Sequence, residues 1–176
     1  MLNQIRTSEA VTTEGPVGLL LGCHERIRHF TGMAMRLAEN PDSPPEEICR
    51  AAEAVLRYFA VSLPLHEADE NDSIFPRLHR ALPAGDVVRK AAETMVSQHQ
   101  AINELLQTIV PLWQAAQSQP VELRDLAPEL KQLTNRLRLH FAAHLAMEED
   151  VIFPMVEKLP AEQRRQIEIE MKARRA

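Results

Sequence analysis

Apolar positions recur at three- and four-residue steps over most of the chain, the period of helices that bury one face. Leu19, Leu20, Cys23, Ile27, Phe30, Met33, Ala34 and Leu37 mark the first stripe, and Pro16 suits its first turn. This predicts a helix from Pro16 to about Asn40. The segment Pro41-Asp42-Ser43-Pro44-Pro45 reads as a turn, with Ser43 as the expected cap and Glu46 and Glu47 where acids favour the helix dipole. A second stripe, Ile48, Ala52, Val55, Leu56 and Phe59, runs into Pro64. That proline lacks a backbone donor and predicts a kink, after which the helix resumes and ends at Pro76 or at Leu82-Pro83. The third helix is expected over residues 84–118, with a second kink at Pro111. Residues 117–126 read as a loop with some helical character, and Pro128 is expected to open the fourth helix, through Leu130, Leu133, Leu137 and Phe141 to Phe153. A charged fifth helix, Ala161 to about Arg174, follows Pro160.

Four long helices with short connections predict an all-α fold, an up-down-up-down four-helix bundle with kinked helices. Its expected limits are residues 16–158, with a flexible polar arm over 1–15 and the fifth helix, 159–176, packed on the bundle. Composition agrees. With 176 residues, 45% hydrophobic and 26% charged, the chain has the makings of one soluble core. Only 5 Gly and 1 Tyr favour helix over sheet. The net charge of −5 argues against a general nucleic-acid binder, and Lys172, Arg174 and Arg175 read as cations at a helix C-terminus. No apolar run approaches the roughly 20 residues of a membrane span. No signal-peptide stretch opens the sequence, and 2 Cys, Cys23 and Cys49, imply no disulfide framework. A cytoplasmic protein is expected.

The polar residues change this picture, because a short pattern is written twice. His66 and Glu70 precede Ile74-Phe75-Pro76, and His144 and Glu148 precede Ile152-Phe153-Pro154 at the same spacing. Upstream of each copy lies a His-x-x-Ile, at His24 and at His99. Residues four apart stack on one helix face, so each His/Glu pair can aim at one centre. Four helices could then deliver four imidazoles and at least two carboxylates. A carboxylate shared between two ions holds a metal pair at roughly 3.5–4 Å, and Glu70 and Glu148 are the natural bridges. Glu67 is a candidate terminal ligand. Glu149 is expected to face solvent or to bond a ligand imidazole. Mixed imidazole and carboxylate suits iron, manganese or zinc. Six or more ligands exceed what tetrahedral zinc takes, so a pair of irons fits best. The zinc-protease spacing His-Glu-x-x-His is absent, as is the Glu-x-x-His of ferritin-like bundles.

On these repeated segments the chain resembles the hemerythrin-like, HHE cation-binding domain family over residues 17–158. The resemblance implies a four-helix bundle with a non-haem di-iron site, two irons with an oxo or hydroxo bridge, for which manganese or zinc could substitute. It carries the ligand roles onto His24, His66, Glu70, His99, His144 and Glu148. Glu67 follows the pattern of the iron-sensing domain of an F-box ubiquitin-ligase subunit. His140, one turn before His144, is a further candidate ligand. Oxygen carriers of the family have His-x-x-x-His on the third helix, where this chain has His99 and Asn103. They end the fourth-helix motif in His-x-x-x-x-Asp, where this chain has His144-x-x-x-Glu148. The departures point away from oxygen carriage and toward sensing or handling of oxygen, nitric oxide or iron. The alternative is a di-iron enzyme that turns over peroxide or nitric oxide, or repairs iron centres. Expected partners are metal ions and a small diatomic or peroxide ligand, with neither nucleic acid nor membrane; a homodimer is compatible.

Overall fold

A computed structural model describes residues 15–176. The expected N-terminal arm lies outside the described residues, apart from Gly15, which opens the first helix. The described residues form an all-α bundle with no strands. The first rod is α1 (Gly15–Glu39). The second is built from α2 (Pro45–Arg57), α3 (Leu63–Ala68) and α4 (Phe75–Ala81), joined by π-helical turns at Tyr58–Ser62 and Asp69–Ile74. The third is α5 (Val87–Ser118). The fourth is α6 (Leu123–Met147), a π-helical turn at Glu148–Ile152 and α7 (Phe153–Val156). The C-terminal helix is α8 (Ala161–Ala173). Each rod packs on the next, α1 on α2, α2 on α5 and α5 on α6, and α6 closes back on α1.

Prolines set the local backbone. Pro64, Pro76 and Pro154 each follow a π-helical turn by two residues. Proline offers no N–H and its ring crowds the carbonyl four residues back, so the ladder widens rather than breaks. The preceding residue then bonds five residues back: Leu63 N–H to Tyr58 O, Phe75 N–H to Glu70 O and Phe153 N–H to Glu148 O. The kink expected at Pro64 is therefore such a turn. Pro76 does not end its helix; Leu82, in extended conformation, does. Pro128 corrects one expectation, because α6 begins at Leu123, five residues before it; α5 runs through Pro111 without a break. The expected loop shrinks to Gln119 and a 3-10 turn at Pro120–Glu122. Ser43 does not cap α2, whose N-cap is Pro44.

Two apolar clusters divide the interior. One gathers Ile27, Leu37, Val55, Phe59, Leu63, Ile102, Trp113, Leu130, Phe141 and Leu145. The other gathers Leu20, Ile74, Phe75, Leu78, Met95, Ile152, Phe153, Ile167 and Met171. Every rod passes from one cluster to the other. The first goes from Leu20 to Ile27 and the third from Met95 to Ile102; the second goes from Leu63 to Ile74 and the fourth from Phe141 to Ile152, in the reverse sense. Alternating chain directions would produce that reversal. Between the clusters lies a layer of buried polar side chains.

Candidate metal centre

Each rod crosses this layer with a histidine. His24 comes from α1, His66 from α3, His99 from α5 and His144 from α6, and all four are buried. The π-helical turns supply Glu70 and Glu148, each 0% exposed. The donor atoms fall into two groups, each with all atoms within 4.8 Å of one another: His24, His66, Glu70 and Glu148 in one, and Glu70, His99 and His144 in the other.

Glu70 joins the two groups. Its Oε1 lies 3.0 Å from His66 Nε2 and its Oε2 lies 2.9 Å from His99 Nε2. Glu148 Oε2 lies 2.8 Å from His24 Nε2 and 3.8 Å from His144 Nε2. The Nε2 atoms of His99 and His144 face one another at 3.1 Å. Several of these approaches have hydrogen-bond distance without hydrogen-bond direction. His24 Nε2, His66 Nε2 and all four carboxylate oxygens of Glu70 and Glu148 are buried with no hydrogen-bond partner among the described residues. Buried acceptors left in that state are costly, and a cation placed among them satisfies all of them at once. The donor set fits metal ions.

The opposite edge of two rings is fixed by the protein. His24 Nδ1 lies 2.8 Å from Glu149 Oε1, which also accepts from Arg28 Nη2 at 2.6 Å. His144 Nδ1 lies 3.0 Å from Gln98 Oε1. Such partners turn metal-binding imidazoles to present Nε2. Of the two roles expected for Glu149, the structure shows the imidazole contact. Gln98, half-buried, carried no signal in the sequence, since no motif distinguishes it from the other glutamines.

Burial sets the electrostatics. It holds His24 down to about 4, with the neighbouring His66 adding to the effect. It holds His144 down to about 3 against the pull of Glu70. Both rings are thus neutral near pH 7, with lone pairs available. Burial and the Glu70 charge push the Glu148 carboxyl well above its ordinary range. Glu70 lies well below its range, because attraction to His66 overcomes the opposing effect of burial. Two acids sharing a site push one another apart in this way.

Two candidates stand apart from both groups. Glu67 is half-buried; its Oε2 accepts from Asn103 Nδ2 at 3.0 Å, and its Oε1 is buried without a partner. His140 is exposed, beside a groove shared with Ala101, Glu104 and Arg136, and this corrects its expected place in the site. Phe141 takes the inward position, and at about 100° per residue its predecessor is turned to the flank.

No helix among the described residues is long and apolar enough to cross a membrane. A search of curated proteins finds no match. The family model of the hemerythrin HHE cation binding domain matches residues 15–122 and, overlapping them, residues 90–174. With matches over most of its length and the buried His/Glu layer that such a domain needs to hold cations, the chain belongs to the hemerythrin HHE cation-binding domain family.

Proposed function

We propose that the chain is a non-haem di-iron protein that senses or handles oxygen, nitric oxide or iron. One observation carries the reading: the two oxygens of Glu70 each serve a different group of donors, 3.0 Å from His66 on one side and 2.9 Å from His99 on the other. A carboxylate so placed suits a metal pair better than a single ion. His24, His66, Glu70, His99, His144 and Glu148 are the proposed ligands, and Glu67 is the proposed reserve carboxylate beside them. Mixed nitrogen and oxygen donors favour iron, with manganese or zinc as substitutes. When bound, a di-iron pair supplies open coordination positions and one-electron redox chemistry for a diatomic or peroxide ligand. The protein's share is to keep His24 and His144 neutral and to seal the layer between two apolar clusters.

Asn103 supports sensing or handling over reversible oxygen carriage. It stands where the carrier pattern has a fifth imidazole, and it is engaged with Glu67. We take residues 16–158 as the bundle domain and 159–176 as its accessory helix, in a cytoplasmic protein. The test is metal counting on protein purified without added metal, with absorption spectra before and after exposure to nitric oxide. Two irons per chain, near-ultraviolet absorption and a nitric-oxide-dependent change are expected. One tightly bound zinc, or iron blind to the gas, would overturn the proposal.

A further inference from the structure

One buried carboxylate has no part in the proposed ligand set. Asp69, fully buried, directly precedes Glu70. Both its oxygens are engaged by the end of the C-terminal helix: Arg174 Nη1 donates to Oδ1 at 2.9 Å, and Arg175 Nη2 donates to Oδ2 at 2.5 Å. Arg174 Nη2 also donates to Ser73 Oγ at 2.8 Å, in the same π-helical turn. Arg175 Nη2 lies 3.7 Å from the sulfur of Cys23, the residue before His24. Two arginines thus reach the immediate neighbours of His24 and Glu70, two of the four donors in one group.

Favourable interaction with the dipole of α8 does not explain this arrangement, because cations at a helix end serve the dipole while remaining in water. Nor does stability alone, since burying a carboxylate against guanidinium groups roughly breaks even against its desolvation. What the network does achieve is to fix one geometry for the turn that carries Glu70.

We propose that the C-terminal helix is a clamp on the metal centre. Arg174 and Arg175 are positioning residues: through Asp69, Ser73 and Cys23 they hold Glu70 and His24 in place and set how long that half of the centre keeps its ion. The proposal rests on the metal-pair reading above. A built-in control exists, because α8 has a second tie. Arg77 donates twice to Glu170, at 3.1 and 2.7 Å, and a Glu170 variant leaves in place the Arg174–Ser73 bond and Arg77's own 2.7 Å bond to the Ser73 carbonyl.

The experiment loads full-length wild type, the double variant Arg174→Gln/Arg175→Gln, and Glu170→Gln with cobalt(II). It reads the bound cobalt, its visible spectrum, and its rate of loss to a chelator. Wild type is expected to hold two ions. The double variant is expected to lose one of them at least tenfold faster, the scale on which partners of metal ligands act, and to show a changed spectrum. Glu170→Gln is expected to keep the wild-type spectrum and rate. Equal rates and spectra in wild type and the double variant would overturn the clamp, and so would equal acceleration by Glu170→Gln, which would reduce the effect to helix docking. Should the double variant fail to fold, Arg175→Gln alone is expected to change the spectrum; an unchanged spectrum overturns the clamp. A wild type that binds no cobalt pair would bring down the metal-centre reading itself, a separate and recognisable result.

Discussion

His24 and His140 show how much a side chain's role depends on what stands behind it. The ring of His24 is buried, and its Nδ1 edge is anchored by Glu149, which Arg28 holds in turn. His140 is exposed on a helix flank. Removing an anchor of the first kind typically costs a metal site 10–100-fold in affinity. Glu149→Gln is therefore expected to weaken metal binding by at least about tenfold, whereas His140→Ala should leave it unchanged. Competition against a chelator of known affinity measures both, and a loss in His140→Ala equal to that in Glu149→Gln would contradict the placement. The six buried residues of the layer were legible because their pattern occurs twice with fixed spacing, and duplicated ligands survive loss of local context. His140 was misplaced because four-residue spacing to His144 says only that two residues are near one another, not which of them faces inward. Cys23, Asp69 and Gln98 left no trace, since their partners come from distant parts of the chain.

At the scale of an element, Ile-Phe-Pro works through the backbone. In both copies the proline forces the preceding phenylalanine N–H to bond five residues back, onto the carbonyl of Glu70 or Glu148. The wider turn sets where each carboxylate enters the layer. Pro154→Ala restores a donor able to reach the Asp150 carbonyl and removes an unfavourable helical residue, a change worth about 3 kcal/mol in a regular helix interior. The variant is expected to fold at least as well as wild type, to show altered hydrogen exchange at Phe153, and to hold metal at least about tenfold more weakly. Unchanged metal retention would mean that the turn is incidental to the site. Periodicity located the rods but not these turns, because one extra residue in a turn shifts the phase of the stripe without erasing it. Pro111 sits inside α5 without ending it. That residue lies between Ile109 and Trp113, both 0% exposed, and packing on both sides outweighs one lost hydrogen bond.

Across the whole molecule, the two apolar clusters provide the cohesion, and the layer between them opposes it. Glu70 and Glu148 are each 0% exposed and lie against one another, while the two histidines held to about 4 and 3 carry no compensating charge near neutral pH. Such a layer is a liability until cations enter it. The all-α class followed from composition and period, but the layered division did not, because a stripe shows which residues are inside and not which of them meet. The division makes stability a function of metal. An ion that binds only the folded chain, present at 100 times its dissociation constant, adds about 2.7 kcal/mol. In a chain of this size each kcal/mol moves the midpoint by about 2–4 °C. Stripping the metal with a chelator is therefore expected to lower the thermal midpoint by about 5–11 °C per such ion. Glu70→Gln should reproduce most of that fall without a chelator. It removes the bridge but keeps the volume, so it separates lost metal from lost packing. Calorimetry of wild type with and without chelator, and of Glu70→Gln in excess iron, decides the matter. A midpoint indifferent to metal in wild type would mean that the apolar clusters tolerate the layer unaided, and that these carboxylates are not buried for the sake of a cation.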